Sequence, residues 1–455
     1  MKRLVCDYLV IGSGAASLPF LDTLLTELPD KKVILVDKKA RPGGHWVDAY
    51  PYVRLHQPAL YYGVGSTKLG SGGNDLASKP EIIAYYARVM ETLQATGRCH
   101  FLLGHDYEGD GQIRALSDPE QILQIKARRL VDSVYIAVSI PSTRPPPFPV
   151  DPSLTIVPLN ALAQRQQQWE RYVVIGAGKT GMDAVLYLLA QGVAPDAISW
   201  VVSRDAWLIN RDKIWPQSII ATIKPQAQAV MAATDWRDAY RRLEDIGIVM
   251  RVCPDIEPTF YRCATVSEAE VEQLRRIQDV IRLGRVQRIE ADTIVLDRGA
   301  VPTGPAVLHV DCTANGLPAR PPRPVFEEGR ITLQTVMLCQ PAMSAALIAR
   351  IERVMPDDAT RNRCLRPVPP PEVPVDFVHC LIPVYDNANQ WIRSRHLRRF
   401  ILYHRLSLFS HVSLWGKLVA FFTLLRWGLP AERAVRALAA ALAPRELPDT
   451  GQPAP

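Results

Sequence analysis

Twice along the chain, about 165 residues apart, an apolar strand runs into a glycine turn, a helical stretch and a second apolar strand. A tail rich in arginine and apolar residues follows. These observations predict an α/β fold: two Rossmann-like dinucleotide-binding domains of the three-layer ββα type, with a helical C-terminal extension. The expected division is residues 1–160 plus a return segment, 300–370, for the first domain, 165–300 for the second, and 375–455 for the extension.

In the first unit, Cys6–Ile11 reads as a strand, Gly12-Ser13-Gly14-Ala15-Ala16-Ser17 as the turn, the run to Leu28 as a helix and Lys32–Asp37 as the second strand. Gly12 permits the tight turn, and Gly14 lets the backbone approach a pyrophosphate at the helix N-terminus, where free N–H groups and the helix dipole favour anions. Ser17 takes the third position and is still small enough for the helix to pack near the strand. Asp37, 25 residues after Gly12, is placed to accept hydrogen bonds from a ribose diol and to repel a 2′-phosphate, which suits FAD or NAD; Lys38 beside it joins the cofactor-binding candidates.

In the second unit, Tyr172–Ile175 is the strand, Gly176-Ala177-Gly178-Lys179-Thr180-Gly181 the turn, the run to Ala190 a helix and Ile198–Val202 the next strand. Gly176, Gly178 and Gly181 complete the fingerprint, with Lys179 and Thr180 opening the helix. Ser203 and Arg204 stand where an NAD enzyme carries an acid; a hydroxyl and a guanidinium hold a 2′-phosphate by charge-assisted bonds, so NADPH is favoured over NADH. Asp205 next door leaves a solvated arginine as the other reading.

Between the units, Pro80–Leu93 reads as a helix, Gln121–Ile125 and Ser133–Ser139 as strands, and Pro141–Pro149 as an exposed connector. After the second unit come a charged helix over Glu268–Leu283, a hairpin of Arg285–Ile289 with Thr293–Leu296, a strand at Val307–Asp311 and a rigid bend at Pro318–Pro324. The polar and aromatic stretch Glu257–Cys263 fits either a substrate cleft or a loop packed under the second unit.

Composition excludes several classes. With 48% hydrophobic and 22% charged residues, the chain is neither disordered nor fibrous. A net charge of +7 is a mild bias towards anionic ligands, and no basic stripe with interleaved aromatics points to nucleic acid. The eight cysteines are scattered with no CxxC, so neither a zinc ribbon nor a dithiol motif is expected, and no metal site is. Reduced thiols in the cytoplasm are the default, and the N-terminus reads as a first strand rather than a signal peptide.

Trp391–Arg405 carries five arginines and two histidines, and Leu406–Leu425 is apolar with Lys417 as its single charge. Ser410, Ser413 and Lys417 fall on one side of a helix, which argues against a spanning segment. A helix covering the core or a homodimer face is one reading. Peripheral membrane contact through 391–429 is the other, with tryptophans at 391, 415 and 427.

Arg41-Pro42-Gly43-Gly44-His45-Trp46 after the first unit resembles the GGxW segment of flavin-containing monooxygenases and their Baeyer–Villiger and N-hydroxylating relatives. Tyr52–Pro58 is similar to that family's loop beside the flavin ring, Lys79–Ala87 to the helix that follows, Gly176–Asp183 to its NADPH unit and Val310–Gly316 to its ATG turn. The resemblance covers roughly residues 5–320. It implies FAD in the first domain, with Gly44 and Trp46 among its contacts, and NADPH in the second. Gln57, or His56 if the register shifts by one, would bond the flavin or its oxygen adduct, and Arg54 would hold NADP or an anionic substrate. Three features depart from the family. The Phe-x-Gly and spaced histidine expected near Phe148–Asn160 are reduced to Phe148, and the late Gly-Asp is missing, although Ile331–Cys339 and Pro341–Ile351 fit its strand and helix. Gln57 or His56 replaces the asparagine beside the flavin. The expected activity is an FAD- and NADPH-dependent oxidation of a small organic substrate, most like a flavin monooxygenase. A reductase or dehydrogenase without oxygen insertion, and a non-catalytic nucleotide-sensing or membrane-docked protein, are the alternatives.

Overall fold

A computed structural model describes residues 2–442 except 137, 165–168, 217, 315, 317 and 319, and at Arg262 the backbone only. Asn315 of the ATG-like turn and the end of the tail therefore lie outside the described residues.

The first sheet has the strand order Phe326–Glu327, Arg330–Thr332, Ile122–Asp132, Lys2–Ile11, Val33–Asp37, Cys99–Leu103. Its centre is parallel, with Tyr8 opposite Val33 and Ile11 opposite both Val36 and Asp132. Val33–Asp37 is buried throughout, as an uninterrupted apolar run covered on both faces must be. On one face Tyr8, Val10 and Leu35 pack under the helices Ser17–Glu27, Lys79–Ala95 and Pro341–Val354. On the other, Leu9, Ile34 and Val36 meet Ile113 and Tyr107 of the hairpin His105–Gly109 and Gln112–Ala115. Alternation along each strand thus feeds two different layers.

The second sheet is wholly parallel, in the order Val280–Ile281, Ile198–Val201, Arg171–Ile175, Val307–Asp311, Thr155–Pro158. Val174 turns towards the helix Lys179–Ala190, while Val173 and Ile175 pack on the antiparallel meander Val286–Ile289, Thr293–Leu296 and Gly299–Pro302. Each sheet therefore lies between helices and a small antiparallel layer, the expected ββα arrangement. A further sheet centres on Ala206–Asn210, with Val249–Met250 and Phe260–Val266 beside it.

Several local expectations change. Among the described residues of 133–139 there is no strand: Ile122–Asp132 ends where its partner ends at Ile11, and the Ser133 hydroxyl then donates to the Ile11 carbonyl. The helix from Glu268 stops at Leu274, where Arg275 turns its guanidinium onto the carbonyls of Val252 and Arg251, and Val280–Ile281 becomes an edge strand. Pro141–Pro149 is not wholly exposed, since Phe148 is buried against the meander. Phe260–Val266 is a strand with Tyr261 in the core, and Phe260, Tyr261 and Cys263 also line the cleft between the glycine turns, so Glu257–Cys263 combines packing with a part of that wall. The return segment keeps strand then helix, as Arg330–Thr332 and Pro341–Val354. The thiols are not all reduced: Cys263 and Cys339, 76 residues apart, form a disulfide that no local spacing announces, while the other six are free.

The extension comprises helices Pro374–Arg393, Arg395–Tyr403 and Leu414–Ala440. The apolar tail does not form one helix from Leu406, because Ser407 and Ser410 bond local backbone and hold a turn before Leu414. Trp391 is not interfacial; it is buried and donates to the Cys364 carbonyl at 2.8 Å. Arg405 ties the extension to the first unit by donating to the carbonyls of Leu60, Tyr62 and Val64. Leu414–Ala440 leaves Trp415, Phe421, Phe422 and Leu425 exposed, yet among the described residues no helix is long and apolar enough to cross a membrane.

A buried charge cluster locks the return segment. Glu352, with 4% of its side chain exposed, accepts from the Tyr8 hydroxyl at 2.9 Å and pairs with Arg129 and Arg361 at 3.2 Å each. Both arginines also reach Asp358, at 2.7 and 2.6 Å. Removing one member strands the opposite charges in a poorly solvated place. Glu352→Gln is expected to lower unfolding free energy by about 3–5 kcal/mol in chemical denaturation; a loss below about 1 kcal/mol would show the cluster to be solvent-screened.

Candidate functional site: a cleft between two glycine turns

Both glycine turns open into one cleft of about 2670 Å³, lined from both sheets and from the extension. Gly12, Gly14, Asp37, Lys38, Gly44 and Trp46 line one part of it, and Gly176, Gly178, Lys179, Thr180, Ser203 and Arg204 another; Arg54, His56 and Gln57 line it too. Ser17 and Gly181 do not face it. Their work is packing.

At the first turn Gly12 takes φ 95°, open only to glycine without strain. Gly14 and Gly44 touch backbone to backbone: a Cβ on Gly44 would lie 3.0 Å from the Gly14 Cα. Ser17 is fully buried and its hydroxyl faces the Gly14 carbonyl at 3.2 Å, so it closes the turn instead of reaching into the cleft. Asp37 accepts from the amide and hydroxyl of Ser13, at 2.6 and 2.5 Å, and from the Lys39 amide at 2.8 Å. Its carboxylate thus holds the turn while facing the cleft. Lys38 pairs with Asp106 at 3.3 Å, and the Trp46 indole donates to the Tyr62 hydroxyl at 2.7 Å.

The second turn is tighter. Gly176 has φ 128°, and a Cβ there would sit 2.7 Å from the Cys312 carbonyl oxygen. A Cβ on Gly181 would fall 1.9 Å from the Gly176 oxygen, so the helix can approach the strand only without a side chain. A Cβ on Gly178, by contrast, would meet nothing within 4 Å. That open space lies at the start of the Lys179–Ala190 helix, the place for a bound pyrophosphate. Arg204 lies over the Phe260 ring, 4.2 Å from its centroid, with Glu372 3.5 Å away. Asp205, which would repel a 2′-phosphate, is engaged by Arg282 in two bonds of 2.9 and 3.1 Å.

Between the turns lies the loop 52–58. Leu55 is buried and donates its amide to the Ala77 carbonyl, and Arg54, exposed at the rim, donates to the Leu76 carbonyl at 2.9 Å. Gln57 accepts from Gln340 at 3.3 Å. The His56 carbonyl accepts from Arg211 at 3.0 Å, and Arg211 continues to Glu270 at 2.8 Å and to the Thr265 carbonyl at 3.2 Å. Burial, with the nearby Lys179 and Arg211 cations, pushes the His56 imidazole down to about 4, so it is neutral near pH 7. His56 Nδ1 and Gln340 Oε1 are buried without a protein partner and line the cleft, which fits a polar ligand there.

Sequence reasoning missed the residues that couple the two units. The Tyr50 hydroxyl donates to Asp183, which also binds Lys179; Glu270 lies 4.0 Å from Lys179. Tyr52 stacks on Tyr187, with ring centroids 4.1 Å apart. Tyr52 opens the loop already singled out, Tyr50 stands just before it, and Lys179 and Asp183 belong to the second fingerprint; it is their pairing that was missed, because the tyrosines' partners lie about 130 residues on, beyond any local pattern.

The fold is shared with solved enzymes of low sequence identity. The open form of a cyclohexanone monooxygenase aligns with 77% of this chain and 86% of its own, at 14% identity and TM-score 0.51. A Rhodococcus cyclohexanone monooxygenase bound to NADP+ aligns with 77% of this chain and 84% of its own, at 14% identity and TM-score 0.50. No protein-family model matches. Uncharacterized proteins of Mycobacterium tuberculosis and Mycobacterium bovis are 43% identical over 429 residues, 90% of this chain and 79% of theirs. With that identity over most of both lengths, the chain belongs to the family of these mycobacterial proteins.

Proposed function

We propose that the chain is an FAD-dependent, NADPH-using oxidoreductase, most like a flavin monooxygenase acting on a small organic substrate. The observation that carries this reading is the pair of glycine turns opening into one cleft, one beside an acid and the other beside a basic residue. When bound there, the two cofactors supply hydride transfer and, in the oxygen-using form, activation of dioxygen. Gly12, Gly14 and Gly44 let the first turn close tightly at the cleft wall, where the helix N-terminus would meet the FAD pyrophosphate and Asp37 its ribose. Gly176 and Gly181 close the second turn in the same way and Gly178 leaves open space for the NADPH pyrophosphate, with Ser203 and Arg204 towards the 2′-phosphate and Asp205 neutralised by Arg282. Neutral His56 and Gln57 offer hydrogen bonds without adding charge at the reactive end, and Arg54 at the rim suits an anionic portion of NADPH or substrate.

A reductase without oxygen insertion is the second reading. It is favoured by the segment where the monooxygenase fingerprint should fall. There Phe148 is core, and Asn160 donates to the Asp48 carbonyl at 2.8 Å instead of a histidine facing the cleft.

Purified protein is expected to show a visible flavin spectrum that bleaches on anaerobic addition of NADPH. A colourless protein that refuses added FAD would defeat the proposal, and NADPH consumption without substrate oxygenation in air would select the reductase form. In Gly181→Ala the flavin should remain while bleaching by NADPH slows by at least about 100-fold, because the new methyl forces the helix off the turn. Arg204→Ala should raise KM for NADPH by about 10- to 100-fold, from the loss of one charge-assisted phosphate contact, and leave KM for NADH nearly unchanged. Equal effects on both nucleotides would place Arg204 outside the 2′-phosphate site.

A further inference from the structure

We propose that Cys263 and Cys339 form a redox-active pair, a second two-electron site in the cleft that opens to two thiols with electrons drawn from NADPH. The inference rests on the oxidoreductase reading above. Cys263 belongs to the strand Phe260–Val266, and Cys339 to the loop entering the helix Pro341–Val354. The bridge therefore ties the sheet added to the second unit to the return segment of the first. Their Cα atoms are 6.5 Å apart, within the range a disulfide spans.

Position separates this pair from a structural staple. Both cysteines line the cleft. Both connect to the loop 52–58: Gln340, next to Cys339, bonds Gln57 directly, while Cys263 reaches it through two residues, the Thr265 hydroxyl donating to the Cys263 carbonyl and Arg211 joining the Thr265 carbonyl to that of His56. Backbone conformation makes the second argument. Among the described residues, three non-glycines have positive φ, and two of them are Cys263 at 54° and Cys339 at 55°. β-carbon crowding makes that region unfavourable, and residues held in it cluster at sites of function. A chain of 455 residues with several buried cores has no need of a cross-link for stability.

The step balances without another reagent. NADPH gives up a hydride, that is, two electrons and one proton, and solvent supplies a second proton. The sulfur–sulfur bond breaks, each sulfur gains a hydrogen, and NADP+ is left. Reduction also removes the covalent tie across the cleft.

The test uses the whole protein with its flavin, first treated with diamide to close accessible thiol pairs and then freed of it. Denaturing alkylation and peptide mass spectrometry are run before and after anaerobic NADPH. Cys263 and Cys339 should be protected before NADPH and both alkylated after it, and reductive titration should consume about two equivalents of NADPH per flavin, against about one in Cys263→Ser/Cys339→Ser. If the flavin bleaches while the pair stays protected, or if the two cysteines are alkylated even after diamide, the inference falls and the oxidoreductase reading stands. If neither flavin nor NADPH turnover is found, both fall together.

Discussion

The structure turns on how closely a helix can be brought to the end of a strand. At the second turn the space between Gly181 and the Gly176 carbonyl does not admit a methyl group, and at the first, Gly14 and Gly44 meet with no side chain between them. Such contacts aim a helix's free amides and positive end at one point beyond the sheet. Parallel strands of both sheets end at the cleft, at Ile11, Asp37 and Asp132 in the first and Ile175 and Val201 in the second. A buried carboxylate holds the first turn through Ser13, and the Trp200 indole, donating to the Gly176 carbonyl at 2.8 Å, holds the second.

Two turns make one site only if the units are held in register. Tyr50, Asp183, Lys179, Glu270 and Arg211 form a run of polar contacts from one unit to the other, and Arg211 ends it on the loop that carries His56. Burying these charges is tolerable because each has a partner. The return segment is fixed from behind by Glu352 between its two arginines, and Arg405 brings the extension against the loop 60–64. The cleft is thus built by contacts between residues far apart in the chain, several of them charged.

That division explains what was legible. Both strand–turn–helix units could be read to within a few residues, because apolar runs and glycine spacing are local facts. So could the Lys79–Ala95 helix, whose Ser78 and Glu81 form a capping box, and the hairpin of Val286–Ile289 with Thr293–Leu296. The strands Cys99–Leu103, His105–Gly109 and Gln112–Ala115 were not, since their sequence is half polar and broken by glycines. At the candidate site the glycine turns and the place of Arg204 at the end of the second strand were legible, whereas Ser17, counted with the turn's cofactor-binding residues, lies off the cleft wall with its hydroxyl on the Gly14 carbonyl. Gln340, Arg211 and the Cys263–Cys339 bridge were invisible because each acts through a residue more than 50 positions away.

On the proposed reading, the turns that would hold the nucleotides keep their glycines except at Ser17, together with an acid and a basic residue, and the Asp205 charge that would oppose a 2′-phosphate is paired with Arg282. One departure, the replacement of the asparagine, lies on the loop 52–58, where Gln57 faces Gln340, His56 is kept neutral by burial and the cysteine bridge stands nearby. Selection for binding the same cofactors would preserve the first set whatever the reaction. A different fate for the electrons after hydride transfer would alter the second set alone, because the cofactor carries the chemistry and the protein decides what lies next to it. On the proposed reading, the side chains around Gln57 and the cysteine pair would bear on the outcome of the reaction, and the glycine turns on whether it begins.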